Sequence, residues 1–145
     1  MWDAVQKAIW TRVSQDDVMQ DLCSGRYYPT EVPSDAPLPY ISSPPEVGIQ
    51  AEPWETLGKT TEGFVVQWTF IAYSDVRTGG IARVKNIGMR LFELFHLQYF
   101  EIDELKVVKS QVSFQGKPFP DEESQHGQVW GQVIRIQLIL QRKEE

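Results

Sequence analysis

The residues with the most versatile chemistry in this chain are few and widely spaced. His96 and His126 are its two histidines, and Cys23 is its single cysteine. The histidines do not have a metal-binding spacing such as His-x-x-x-His, and one cysteine excludes an internal disulfide or a zinc site of clustered cysteines. We expect structural or surface roles for both histidines, with His96 at the end of a helix. Cys23 is expected to be a small buried hydrophobic residue.

Two glycine-containing segments have features of anion-binding loops. Gly58-Lys59-Thr60 matches the end of a phosphate-binding loop, but the glycine required five residues earlier is Pro53 here. The segment also precedes a predicted strand, so it lacks the helix N-terminus that binds phosphate. A turn followed by a helix cap accounts for Gly79-Gly80. The sequence therefore predicts no nucleotide, cofactor or metal site.

Adjacent carboxylates occur at Asp103-Glu104 and at Asp121-Glu122-Glu123. Paired carboxylates act as acid and base when the fold fixes their separation, and nothing in these loops does so. We interpret them as solvated residues, and we expect no catalytic residue and no enzymatic activity.

Composition limits the partners of the chain. It has 145 residues, of which 41% are hydrophobic and 12% aromatic, enough for one domain over residues 1–145. Fourteen Lys and Arg against twenty Asp and Glu give a net charge of −6, which disfavours a nucleic-acid-binding module. Arg83, Lys85 and Arg90 are interpreted as the solvated face of a helix. No apolar run could span a membrane, and the N-terminus lacks the pattern of a secretory signal.

Helical periodicity predicts three helices. Apolar residues at positions 2, 5, 9 and 13 are spaced by three and four, which favours an N-terminal helix. Ser14 is the expected N-cap of a short second helix that runs to about Cys23, with Gly25 as its stop signal. A broad apolar stripe predicts a longer helix over residues 80–96, capped by Asp75 or Thr78. Gly88 lies within this stripe, where it would allow close approach to a sheet.

Alternation of side chains predicts three long strands, at 63–73, 105–114 and 128–141. In the second strand, Val108, Val112 and Phe114 are expected on one face. Residues 54–62 and 115–127 are expected to be loops.

Seven of the nine prolines lie between residues 29 and 53. This composition predicts an extended segment with strand pieces at 40–41 and 46–52, and a flexible linker is the alternative. The pair Pro44-Pro45 would interrupt strand pairing, which favours an edge strand or a bulge.

The order of these elements predicts an α+β fold with a mostly antiparallel sheet and about two main helices packed on one face. Trp68 and Trp130 are expected in the core. The strand at 63–73 is apolar on both faces, and the helices can cover only one of them. We therefore expect a neighbouring subunit to cover the other face.

A series of short motifs runs along nearly the whole chain. After the N-terminal helix come Gly25-Arg26-Tyr27-Tyr28, Val32-Pro33, Ala36-Pro37-Leu38-Pro39-Tyr40-Ile41 and Glu52-Pro53-Trp54-Glu55-Thr56, followed by the strand from Val65, the helix from Ile81 and the last strand with Gly127 and Trp130. In this order they resemble the tail-completion or tail-terminator proteins of long-tailed bacteriophages, which join tail to head. The chain departs from that pattern at Pro44-Pro45, where the family usually has a continuous strand.

The resemblance implies a structural virion protein that forms a hexameric ring, needs no cofactor and lies in the tail or neck region after assembly in the bacterial cytoplasm. Such a ring stops polymerisation of the tail tube and presents a surface to the head. Its partners would be further copies of itself, the major tail tube protein and the head-connector or neck proteins. DNA would pass through the lumen without specific binding, and an acidic subunit would repel its phosphates.

Loops carry recognition on a rigid sheet, so residues in and near 43–62 and 115–127, together with two aromatic residues after Gly25, are the candidate interface. They are Trp54, Glu55, Thr56, Lys59, Tyr27, Tyr28, Phe119, Asp121, Glu122 and Glu123. A neck, head-closure or other minor tail protein of similar fold is the first alternative, and a small ligand-binding α+β domain is the second.

Overall fold

Three α-helices and a seven-stranded sheet form the part of the chain that the computed structural model describes, residues 2–43, 49–55, 61–121 and 128–142. The helices are α1 (Trp2–Ser14), α2 (Asp17–Cys23) and α3 (Gly80–Phe95), and a 3-10 turn spans Val76–Thr78. The strands are β1 (Tyr27–Tyr28), β2 (Tyr40–Ser42), β3 (Ile49–Glu55), β4 (Thr61–Asp75), β5 (Leu105–Gln115), β6 (Phe119–Asp121) and β7 (Val129–Arg142).

The predicted α+β class and the mostly antiparallel sheet are confirmed. Strands follow the order β1-β2-β4-β7-β5, with β3 also beside β4 and β6 also beside β7. Among these pairs, β1 and β2 are parallel and the others antiparallel. The longest pairing runs from Gly63 opposite Gln141 to Asp75 opposite Val129, so β4 and β7 form the centre of the sheet.

The helices cover one face of this sheet. Alternate residues of β4 and β7 are fully buried against the apolar stripes of α1 and α3, and they are Val66, Trp68, Phe70, Ala72, Ile134, Ile136, Leu138 and Leu140. The opposite face carries half-buried residues such as Val65, Ile71 and Val133. No described helix lies on it, and we call it the open face.

The end of α1 and the start of α2 differ in one detail from the prediction. Asp16, not Ser14, caps α2, because the Asp16 carboxylate accepts a hydrogen bond from the Met19 amide at 3.0 Å. Ser14 is the last residue of α1, and its hydroxyl donates to the Trp10 carbonyl. The predicted stop is confirmed, since Gly25 adopts a φ of 67° and its amide donates to the Met19 carbonyl.

The start of α3 also differs. Asp75 and Thr78 cap the 3-10 turn rather than the helix, through reciprocal hydrogen bonds of 2.9 and 3.0 Å. Gly79, with a φ of 111°, provides the N-cap position of α3 without a side-chain hydrogen bond. Ile81 of the predicted apolar stripe remains 39% exposed. The other residues of that stripe are buried, and they are Val84, Ile87, Gly88, Leu91, Leu94 and Phe95.

Three strand predictions require correction. The expected loop 54–62 is shorter, because β3 continues to Glu55 and β4 begins at Thr61. The expected loop 115–127 contains β6, which pairs with β7 from Phe119 opposite Gly131. In β5, bulges at Val107/Lys109 and Val112/Phe114 interrupt the alternation. Val107 is therefore buried instead of Val108.

The proline-rich segment forms two separate pieces on one edge of β4. Ser42 of β2 pairs opposite Ile71, and Ile49 of β3 pairs opposite Trp68. The sequence predicts an interruption of strand pairing at Pro44-Pro45. These two prolines lie outside the described residues.

Candidate functional site

Three tyrosine rings form a cluster at one end of the open face. Tyr28, Tyr40 and Tyr73 come from β1, β2 and β4. The ring centroid of Tyr40 lies 5.7 Å from that of Tyr28 and 5.4 Å from that of Tyr73. The pairing of Tyr40 opposite Tyr73 fixes the second contact. Aromatic groups of this size contribute strongly to protein interfaces because each buries a large rigid area.

Strand β6 brings Phe119 and Asp121 to the same end. Phe119 pairs opposite Gly131, and a Cβ at Gly131 would lie 2.6 Å from the Phe119 ring. Glycine is therefore required where the ring crosses the strand.

Burial, and then the charges of Tyr40 and Asp121, raise the pKa of Tyr73 to about 12. Burial followed by the Asp121 charge also raises the pKa of Tyr40.

Tyr27 has a different role from its neighbour. Its side chain is 3% exposed, and its hydroxyl lies 2.8 Å from both the Ser43 Oγ and the Trp68 Nε1, which donates to it. Burial raises the pKa of the Tyr27 hydroxyl. The expectation of Tyr27 at an interface is corrected: its side chain belongs to the core, where this network ties β1 to β4.

The other candidate interface residues lie along or beyond β3 and β6. Trp54 and Glu55 are the last residues of β3 and their side chains are not described, while Thr56, Lys59, Glu122 and Glu123 lie outside the described residues. The structure thus brings together Tyr28, Phe119 and Asp121 from the predicted set. It adds Tyr40 and Tyr73, which were not predicted from the sequence although they alternate with the buried Ile41 and Ala72.

The centre of the open face is polar. Gln111 donates to Gln137 across β5 and β7 at 2.8 Å, and Arg135 donates to the Thr69 hydroxyl at 3.3 Å. The Arg135 guanidinium also lies over the ring of Phe114, 5.9 Å from its centroid. The face therefore combines an aromatic end with a hydrogen-bonding centre.

A groove of about 320 Å³ separates α1 from the segment that follows α3. Arg12 lies in its wall, where its Nε donates to the Leu94 carbonyl at 2.6 Å and its guanidinium lies 5.0 Å from the Phe100 centroid. Burial lowers the pKa of Arg12. Lys7, Glu101 and Asp103 also line the groove, so its wall carries charges of both signs.

The prediction of a solvated basic face on α3 is wrong for Arg83 and Arg90, whose side chains bind groups of α2. Arg90 binds the Asp16 carboxylate at 2.6 Å, and Arg83 donates to the Leu22 carbonyl at 2.9 Å. Both side chains join α3 to α2, and Lys85 alone of the three is exposed.

His96 and Cys23 have structural positions. The His96 Nδ1 accepts a hydrogen bond from the Val112 amide at 3.2 Å, and the ring stacks on Phe92. Cys23 is 2% exposed, and burial raises the pKa of its thiol. In the described ranges, no three His, Cys, Asp or Glu side chains are grouped as metal ligands. None of the described helices is long and apolar enough to cross a membrane.

Comparison with solved structures shows a shared fold. The chain is similar to one chain of the structure described as "Virion of native gene transfer agent (GTA) particle", with a TM-score of 0.73 over 94% of both chains and 14% sequence identity. No known family profile and no curated protein matches the sequence. At this identity the likeness establishes the α+β fold that the two chains have in common.

Proposed function

We propose that this chain is a non-enzymatic structural protein of a phage-like virion, in which it caps the tail tube and joins the tail to the head. The main support for this proposal is the fold that the chain shares, over 94% of its length, with a chain of a gene transfer agent virion. The ordered motifs that resemble tail-terminator proteins give independent support from the sequence.

In this proposal the subunits form a hexameric ring on the last ring of the tube. The ring prevents further addition of tube subunits and offers its other side to the head-connector or neck proteins, while DNA passes through the lumen. The aromatic cluster of Tyr28, Tyr40 and Tyr73 provides a rigid contact area at one end of the sheet.

The test is assembly with the tail tube protein of the same virion. Tube protein alone should polymerise to variable lengths, and addition of this chain should shorten the tubes and place a ring at one end, as seen by electron microscopy. Tubes that grow unchanged, with no bound ring at any ratio of the two proteins, would refute the terminator role.

A neck or head-closure protein is the second candidate, and it has the same structural support. It predicts binding to the head connector and no effect on tube length, so the same preparation separates the two roles.

A small ligand-binding domain is the third candidate, supported by the groove beside Arg12. It predicts a thermal shift with small carboxylates, and the Arg12→Met variant would lose that shift.

A further inference from the structure

Helix α3 has two flanks beside its buried stripe, and the described chain covers one of them. On the covered flank, Arg83 and Arg90 contact α2. At 100° per residue, the opposite flank presents residues 81, 85, 89 and 92. We call this opposite side the outer flank, and it consists of Ile81, Lys85, Met89 and Phe92.

The outer flank is apolar and held rigidly. Met89 is 58% exposed and Phe92 is 39% exposed. Phe92 stacks on His96 with centroids 4.4 Å apart, and the His96 ring is fixed by the Val112 amide of β5. Leu97, just beyond the helix, is 63% exposed, and its amide donates to the Ser110 carbonyl of β5 at 2.7 Å. Exposed apolar side chains grouped on one flank of a helix are typical of an interaction site.

The charge within this surface is positive, because Lys85 lies in the outer flank and is exposed. The acid in the last turns of α3, Glu93, lies one turn after Met89, and its charge is paired with Arg90 at 3.0 Å. A partner for this surface therefore needs an apolar side chain accompanied by carboxylates.

The outward side of α2 has this chemistry. Val18 is 41% exposed, and Asp17 and Asp21 lie beside it on the exposed face of the helix. The inward side of α2 is fixed to the covered flank of α3 through Asp16 and Leu22. The two complementary surfaces therefore lie on opposite sides of one layer of helices, and one copy can use both at once.

We propose that the outer flank of α3 binds the Asp17, Val18 and Asp21 face of α2 in a second copy of this chain. The contact is heterologous, so its repetition produces a ring or an open filament. The inference rests on the proposed ring and names the surfaces that would build it.

Engineered cysteines test the contact. Val18→Cys and Met89→Cys chains are purified separately, mixed and oxidised, while the native Cys23 stays buried. The mixture should form a disulfide-linked dimer that neither chain forms alone. A Val76→Cys chain, exposed at 72% and outside both surfaces, is the matched control and should not link to either. Absence of the mixed dimer, or equal linking of each variant to itself, would overturn the inference.

Charge reversal supplies a second readout. Lys85→Glu should reduce the yield of the mixed dimer about tenfold, and Asp17→Lys with Asp21→Lys in the partner should restore it, because opposite charges across an interface govern encounter and register. Unchanged yields after reversal would contradict the proposed orientation.

Light scattering on the unmodified chain distinguishes the two proposals. If oligomers form and the mixed dimer does not, this inference fails while the ring remains. If the chain is monomeric and no mixed dimer forms, this inference fails, and the effect on tube length then decides the proposed function.

Discussion

Asp16 combines two interactions through one carboxylate. It accepts from the Met19 amide at the start of α2, and it receives the Arg90 guanidinium at 2.6 and 2.9 Å. The hydrogen bonds from Arg90 are the main reason why the pKa of Asp16 lies below its usual value of 3.8. One residue thereby caps a helix and attaches it to α3.

We predict that this carboxylate makes stability depend on pH. A lowered pKa in the folded state means that its stabilisation is complete above pH 3.8 and is lost as pH falls through the lower folded value. Asp16→Ala should reduce the free energy of unfolding by about 1–3 kcal/mol at pH 7, from loss of the cap and the ion pair. Urea unfolding at pH 7 and pH 3 measures this.

Asp16→Asn is the matched variant, because asparagine retains the cap but not the charge. It should be less destabilised than Asp16→Ala at pH 7. Equal pH dependence in the native chain and both variants would contradict the assignment.

Gly88 is required by packing rather than by backbone conformation. A Cβ there would lie 2.8 Å from both the Gln132 Oε1 and the Ile134 Cδ1. Both side chains are buried, and the Gln132 amide nitrogen donates to the Gly116 carbonyl, so neither can move freely.

Gly88→Ala should lower the free energy of unfolding by about 1–2 kcal/mol, because overpacking outweighs the gain in helix propensity of about 1 kcal/mol. The exposed Asn86→Ala in the same helix is the control, and it should leave stability unchanged or slightly higher. Chemical denaturation of both variants provides the comparison, and a Gly88→Ala chain more stable than the native one would refute close packing.

At the scale of elements, periodicity predicted α1, α3, β4 and β7 because each has a long buried stripe with a regular repeat. It failed where the stripe is short or shifted. The strand β6 contains Pro120 and pairs over three residues, so its sequence is typical of a loop. In β5 two bulges move the alternation, and no single-sequence pattern indicates where an extra residue enters a strand.

The Tyr27 network links elements that are far apart in sequence. Tyr27→Phe should reduce the free energy of unfolding by about 1–2 kcal/mol, because Trp68 and Ser43 lose a buried hydrogen-bonding partner. Tyr28→Phe is the control, since Tyr28 is half-buried on the open face, and its stability should change little. Equal effects of the two substitutions in thermal unfolding would contradict the network.

At the scale of the whole molecule, the sequence predicts a sheet with helices on one face and a neighbouring subunit on the other. The described residues have a face that no described helix covers, and its cover by another subunit stays a prediction. The candidate interface was only partly predictable. Loop composition indicated Phe119 and Asp121, but the clustering of Tyr40 and Tyr73 with them depends on which strands are neighbours. Strand order arises from long-range pairing, which local patterns do not encode.

The predicted role of Trp54 is in assembly of the subunits rather than in folding of the chain. Trp54→Ala should weaken ring formation or tube capping while the chain still folds with native circular dichroism. Electron microscopy of the virions measures the effect, and virions that carry the conservative Tyr28→Phe substitution are the comparison. Normal-length, DNA-filled particles at native yield would remove Trp54 from the interface.

The two strand pieces on one edge of β4 allow changes in chain length. Between their pairing partners on β4 lie only Thr69 and Phe70, yet residues 43–48 connect the pieces. Each piece is therefore registered by its own hydrogen bonds, and the connection is longer than a continuous strand needs. We therefore expect insertions or deletions between Ser43 and Ile49 to leave both registers intact, because neither piece is aligned by the other.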